Sequence, residues 1–485
     1  MPVASDPVFA RRRAGILLHP SSLPEGNLGS GAYRFVDFLA ASGLGLWQML
    51  PLGPPHGDGS PYQCTSVNAG NPALLDPRAA FDWGWLGPCP DPCPTEAEVL
   101  LDLFERHAPA AARQAFGDFC RAQADWLEDY ALYQVLRAEQ GERAWIDWPV
   151  PLRDRHPAAL AEVRERRAGA LEAVRFGQFL FFEQWRRLHQ YASERDVLLF
   201  GDLPIFVAYD SADVWAHPDL FRLDAEGRLE VVAGVPPDYF SATGQRWGNP
   251  LYRWERMAET GFDWWVRRFE VQETLFDLIR VDHFRGFEAC WEIPAADTTA
   301  VGGRWVPAPG AELFRTLKAR LGRLPLVAED LGTITPEVVA LREAFGLPGM
   351  KVMQFAFSGG ADNPYLSHNH EPLMVVYTGT HDNDTTLGWY QGLDPATRAV
   401  VDDYLGRPGE AMPWPLIRAA LRSVCRLAVV PMQDVLALGS EHRMNHPGVA
   451  EGNWQWRFQW DWLPADLADR LHHLARLYGR ATGGA

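Results

Sequence analysis

The 485-residue chain has no uncharged apolar run approaching the ~20 residues that a membrane-spanning helix needs. It is also short of what an export signal requires: Arg11, Arg12 and Arg13 are followed by only a brief apolar stretch before His19, with no small-residue cleavage site. A cytoplasmic protein with no membrane partner is expected. Positive charge is scarce, with 45 Lys and Arg against 62 Asp and Glu, a formal net charge of −17. A nucleic-acid partner is therefore not expected, because phosphates must be neutralised by Lys and Arg. The substrate class left open is neutral or cationic. Cysteines number only six, and the one close pair, Cys89 and Cys93, lies in a Pro-rich stretch with no second pair or neighbouring His. That disfavours zinc and suits free thiols in a reducing compartment. No G-x-S-x-G and no G-x-x-x-x-G-K-[ST] occurs, which removes the usual signals for acyl transfer and for a phosphate loop. There is no internal repeat and no low-complexity stretch.

What the chain does have is material for a large core. Hydrophobic residues make up 47%, and the 20 Trp suit either core packing or stacking on the apolar faces of sugar rings. Eight short, mostly apolar runs each end in polar residues: GILLHPSS, LWQMLPLGP, VLLFGDLP, LIRVDHF, LPLVAEDLG, KVMQFAF, MVVYTGTHDND and LAVVPMQDV. Helical patterns at 32–43, 311–322 and 335–346 lie between them. The last opens on Thr335-Pro336-Glu337, an N-cap followed by Pro at the first helical position, and the last two end in Gly. Eight strands alternating with helices predict an α/β chain folded as a (β/α)8 TIM barrel. The whole of 1–485 reads as one catalytic domain. It carries a helical insertion over about 78–195 after strand 2 and a loop-rich insertion over about 208–260 after strand 3. Both are expected over the carboxyl-end mouth, and no separate C-terminal β domain follows.

In such barrels the chemistry sits at the carboxyl ends of the strands. Here those ends carry His19, Asp202, Asp282, Glu329, Gln354, His381, Asp382 and Asp434. Strand alternation puts Arg280 and Asp282 on one inward face, and the guanidinium favours an ionised carboxylate, as a nucleophile at an anomeric carbon requires. A purely structural Arg–Asp pair is the plain alternative. Glu329 follows the apolar LPLVA, which raises its pKa and suits a general acid, while Asp330 faces the other way as a structural hydrogen bonder. The block TGTHDNDTT is richer in polar groups than a strand end needs. No H-x-x-x-H or H-x-H spacing surrounds His381, so the block reads as binding sugar hydroxyls, with Asp382 stabilising an oxocarbenium-like state, rather than holding a metal. No metal and no cofactor are expected.

The blocks LLHPSSLP, LPLGP, SPYQ, GDLPIFVAYDSADVWAHP, VPPDYFSATGQRWGNPLY, RVDHFRGFEACWEIP, AEDLG, PGMKVMQFAF, YTGTHDNDTTLGW, QDVLALGSEHRMN and GNWQWR cover nearly the whole chain. Together they closely resemble the amylomaltases, the 4-α-glucanotransferase or disproportionating-enzyme family of the α-amylase clan. The resemblance implies a retaining transferase that moves α-1,4-glucan segments among maltooligosaccharides, working as a monomer. It implies Asp282 as nucleophile, Glu329 as general acid/base and Asp382 as the transition-state carboxylate. It further implies that Arg280, His283 and His381 touch the sugar, and that Tyr62, Asp202, Gln245, Trp247 and Asn445 line the glucan groove. Two stretches depart from the family pattern: GPPHGDGSPYQC after strand 2, and FAFSGGADNP, which lacks the acidic residue often found just after FAF.

A hydrolase with the same carboxylates shares the covalent intermediate and differs only in whether water or a sugar attacks it. A non-catalytic glucan-binding barrel would require a lost carboxylate, and a metal-dependent barrel enzyme would require a compact ligand set. The segment 235–250 is the expected lid for transfer. Pro236, Pro237 and Pro250 stiffen it, Gly244 and Gly248 turn it, and Tyr239, Phe240 and Trp247 cover a sugar face; an ordinary packed surface loop is the alternative.

Overall fold

The computed structural model describes residues 5–237, 241–407, 409–449 and 451–483. Eight strands are formed where apolar runs were read: β1 (Arg13–Leu17), β2 (Leu46–Gln48), β3 (Leu198–Pro204), β4 (Leu278–Asp282), β5 (Leu326–Ala328), β6 (Gly349–Val352), β7 (Met374–Tyr377) and β8 (Leu427–Pro431). They pair in parallel, in the order β6-β7-β8-β1-β2-β3-β4-β5. β5 and β6 complete the ring where Ala328 N–H donates to the Pro348 carbonyl at 2.8 Å. The result is a (β/α)8 TIM barrel.

Alternation along the strands sorts the barrel's two layers. Leu17, Leu46, Phe200, Leu278, Val327, Val375 and Leu427 fill the interior. Their neighbours Ile16, Trp47, Leu199, Ile279, Leu326, Val376 and Ala428 face the surrounding helices. Two residues beyond the interior set come Asp202, Arg280 and Glu329, with Asp282 two further on, so the inward face turns from apolar to charged at the carboxyl end of the barrel.

Helices Ser30–Ala41, Asp263–Leu275, Gly310–Leu321, Pro336–Ala344 and Leu467–Leu477 belong to the outer ring. Gly310–Leu321 ends on Gly322 with φ +79°, a left-handed stop that favours glycine. Thr335 stands at the N-cap of Pro336–Ala344 as expected, but its side chain makes no capping hydrogen bond. The crossover from β6 to β7 carries no α-helix, only the short turns Met353–Phe355 and Ser367–Asn369. Its Gly359-Gly360 and Asn363-Pro364 pairs break helical pattern, and the Asn363 amide instead donates to the carbonyls of Phe355 and Ser358.

Between β2 and β3 lie helices that include Ala97–His107, Ala110–Ala122, Ala124–Glu139 and the 26-residue Ala168–Ser193, with their own aromatic cluster. Between β3 and β4 the expected loop contains strands. Val231–Val235 pairs antiparallel with Gln245–Pro250, and on its other side with Ala289–Pro294, which pairs with Arg304–Pro307. This four-stranded sheet joins segments from either side of β4, a non-local pairing that no single stretch announces. No described residue after β8 lies in a strand, and no described helix is long and apolar enough to cross a membrane.

The amino-terminal end of the barrel is tied by Arg480. Its fully buried guanidinium donates to five carbonyls, those of Leu421, Arg13, Arg426, Ser423 and Cys425, at 2.7–3.0 Å. Burial and the nearby Arg12 pull its pKa down to about 9, which leaves it cationic at neutral pH. Arg480→Ala strands these acceptors and is expected to cost roughly 3–5 kcal/mol. Denaturant unfolding is the check, with the midpoint lowered at unchanged slope; a midpoint at the wild-type value would disprove the clamp.

Candidate active site

Register places the central charges. β3 and β4 pair Asp202 with Arg280, and β4 and β5 pair Val281 with Ala328, so Asp282 and Glu329 are the next neighbours toward the mouth. The Arg280 guanidinium, 5% exposed, spans two carboxylates: Nη1 lies 2.6 Å from Asp202 Oδ2 and Nη2 lies 2.9 Å from Asp282 Oδ1. Burial disfavours the charge of Arg280, but Asp202 and Asp282 more than restore it and hold the guanidinium cationic. Asp202 is 2% exposed, and its Oδ2 also accepts from the Tyr62 hydroxyl at 2.8 Å. It therefore sits beneath the groove and orients Tyr62 and Arg280. Burial pushes its pKa up, while Arg280 and the Tyr62 hydroxyl pull it back.

Glu329 faces Asp282 from β5. Its carboxylate accepts two backbone N–H groups, from His283 at 2.7 Å and from Leu331 at 3.0 Å. The first exists because His283 adopts a left-handed backbone (φ 50°, ψ 49°), rare outside glycine, that turns its N–H toward Glu329. Burial, with Asp282 adding to it, raises the Glu329 pKa to about 7 against the pull of Arg280 and the two N–H donors. Asp330, on the other face of the chain, accepts from Met350 N–H at 2.7 Å.

Asp382 approaches from the segment after β7 and is half exposed. Asn445 Nδ2 donates to its Oδ1 at 2.6 Å, His381 Nε2 lies 3.3 Å from the same oxygen, and Arg443 Nη2 donates to its carbonyl at 2.9 Å. The Tyr62 ring stacks on the His381 ring, with centroids 5.3 Å apart and planes 17° apart. Trp247 stands edge-on to His283 at 4.8 Å, and the Gln245 carboxamide accepts from the Trp247 indole N–H at 3.0 Å. Burial lowers the pKa of His283 to about 4, and of His381 below its ordinary value. Both are neutral at pH 7, which suits hydroxyl recognition. Tyr239 and Phe240, expected in the lid, lie outside the described residues.

The structure brings all eleven sequence-selected residues into one neighbourhood, though Asp202 and Gln245 act through Arg280, Tyr62 and Trp247. It adds Trp454 and Arg443 to them, and sets His19, already read at the end of the first strand, beside them. Trp454 lies 6.0 Å from the Tyr62 ring and 5.9 Å from His381; Arg443 grips the Asp382 backbone; His19 lines, with His381 and Asp384, a cavity of about 30 Å³. GNWQWR and RMN were legible as blocks, but nothing in their spacing says which ring or guanidinium turns inward. Among the described residues no group of three or more His, Cys, Asp or Glu is placed to hold a metal ion.

Comparison with known proteins adds the relatives. A family model described as 4-alpha-glucanotransferase matches residues 18–462. A 4-alpha-glucanotransferase from Thermus thermophilus is 50% identical, with 97% of this chain and 98% of that protein covered. A chloroplastic/amyloplastic 4-alpha-glucanotransferase from Solanum tuberosum is 43% identical, over 97% and 87%. The amylomaltase from Streptococcus agalactiae, solved in complex with acarbose, superposes with a TM-score of 0.91 at 34% identity, covering 97% of this chain and 100% of that one.

The burial of Glu329 sets a test. Carbon-13 NMR of carboxyl-labelled glutamate should show one resonance titrating near pH 7, protonated below and ionised above, and absent from Glu329→Gln. A Glu329 resonance titrating near pH 4.5 would contradict the burial effect.

Proposed function

The chain belongs to the 4-alpha-glucanotransferase family and transfers α-glucan segments rather than only hydrolysing them; we propose that it does so through a covalent glycosyl-enzyme on Asp282, with net retention. The observation that carries this reading is the contrast between two neighbouring carboxylates. Asp282 lies against a fixed guanidinium, while buried Glu329 holds its proton up to about pH 7. Glu329 gives that proton to the glycosidic oxygen as the Asp282 oxygen turned away from Arg280 bonds to the anomeric carbon, and the leaving glucan departs. The C4 hydroxyl of an acceptor sugar then attacks the same carbon, Glu329 takes its proton, and Asp282 is released. Asp382 and neutral His381 engage the hydroxyls of the distorted ring and offset the positive charge that develops. Retaining enzymes hold the two carboxyls about 5–5.5 Å apart. Adjacent positions on neighbouring strands, ~4.8 Å apart, support a spacing of that order.

The substrates are α-1,4-glucans and maltooligosaccharides, and no cofactor enters. Arg280, His283 and His381 contact the reacting sugar, and Tyr62, Gln245, Trp247 and Asn445 line the groove above Asp202. The protein works as a cytoplasmic monomer. Residues 1–485 act as one catalytic domain, with the insertions at about 78–195 and about 208–260 over its mouth.

Transfer requires that water, at roughly 55 M, lose to a scarce acceptor, which takes shielding and a held attack geometry. The ribbon Val231–Val235/Gln245–Pro250 supports a shielding role, because it brings Trp247 against His283.

Two outcomes are expected. Maltotriose alone should yield a ladder of longer and shorter α-configured oligomers, abolished by Asp282→Ala; shorter products alone, or anomeric inversion, would overturn the reading. Shortening the 236–243 connection should raise hydrolysis relative to transfer, read as glucose released per oligomer formed. Equal losses of both at an unchanged ratio would remove the lid.

A further inference from the structure

Asp382 has a positional problem. It projects half exposed from a segment that leaves β7 at Thr378 and enters the helix Thr386–Gly392 at Thr386, and it stands four residues from either end. Its own side chain is met by Asn445 and His381 alone among the described contacts. Core packing does not fix it; its backbone is met by the Arg443 guanidinium at the carbonyl and by the Thr380 hydroxyl at the N–H, and beyond these its position depends on how the two ends of its segment are held.

Both ends converge on one carboxylate. Asp434, 1% exposed at the mouth end of β8, accepts from the Thr378 hydroxyl at 2.6 Å on Oδ2. It accepts from the Thr386 hydroxyl at 2.6 Å on the same oxygen, and from Thr386 N–H at 2.6 Å on Oδ1. Thr378 and Thr386 are themselves fully buried. Charge-assisted hydrogen bonds of this length are among the stronger polar contacts in a protein. Smaller ties lie along the segment: the Asn383 carboxamide accepts from Thr380 N–H and hydroxyl, the Gln354 amide donates to the Asp384 carbonyl, and the Ser440 hydroxyl donates to the Asp384 carboxylate. None of these joins the two ends directly.

We propose that Asp434 is a positioning residue for the transfer reaction, clasping the ends of the 378–386 segment so that Asp382 is held within reach of the reacting sugar. The inference rests on the assignment of Asp382 as the third carboxylate.

Three variants of the full chain, assayed by maltotriose disproportionation, test it. Asp434→Ala should lower kcat/KM by about 10²-fold, the scale of a misplacement near 1 Å, with the loss in kcat and KM little changed. Asp434→Asn, which keeps an oxygen for Thr386 N–H, should recover most of that loss. Thr386→Val removes one donor while leaving Asp434 in place and should lie between; it answers the question if Asp434→Ala fails to fold, as judged by thermal unfolding. The decisive comparison is the double variant: Asp382→Asn with Asp434→Ala should be no slower than Asp382→Asn alone. Losses that multiply in the double variant would overturn the clasp while leaving Asp382 in its role. A folded Thr386→Val with wild-type kcat would do the same. Wild-type activity in Asp382→Asn would overturn both, since nothing would then need positioning.

Discussion

The site is organised around one buried cation. Arg280 lies with one side of its fork on Asp202 and the other on Asp282, and each neighbour's geometry follows from that contact. Asp202 can be buried only because a guanidinium and the Tyr62 hydroxyl meet the same oxygen. Tyr62 is thereby aimed so that its ring lies on His381. Removing one partner of such a buried pair leaves an uncompensated charge, typically about 3–5 kcal/mol of destabilisation. Arginine suits the position better than lysine, because two carboxylates on neighbouring strands need a planar, two-pronged donor.

The same cation sets the difference between the two carboxylates at the mouth. Asp282 has the guanidinium at contact distance, whereas Glu329 has burial and the Asp282 charge to contend with, which the pull of Arg280 and two backbone N–H groups soften without outweighing. One of those N–H groups is supplied by a residue in a strained left-handed conformation. Local strain beside Asp282 is thus tied directly to the geometry of Glu329. Around this centre the histidines are kept neutral by burial, so the groove presents hydroxyl-compatible groups and aromatic faces rather than excess positive charge.

The transfer site also depends on contacts between distant segments. Asp382 is reached by Asn445 and Arg443 from the chain after β8, and its segment is clasped by Asp434 at the end of β8. Trp247 reaches His283 because the Gln245–Pro250 strand joins a sheet whose other members lie on both sides of β4. The missing helix in the sixth crossover follows instead from local chemistry: paired glycines and an Asn-Pro step that give the backbone other hydrogen bonds.

What the sequence by itself determined is whatever obeys a short period. Apolar runs of strand length marked all eight barrel strands, alternation along β4 put Arg280 and Asp282 on one face, and a polar residue at each strand end marked the chemical rim, because a two-residue repeat is written in adjacent letters. What only the tertiary structure decided is which of those letters meet. The partner of Arg280 at its second nitrogen, the His283 N–H on Glu329, the cluster of the Tyr62, His381 and Trp454 rings, and the three hydrogen bonds on Asp434 join residues up to hundreds of positions apart. They depend on the register between strands and on how far each side chain is removed from water, and neither quantity exists until the barrel has closed.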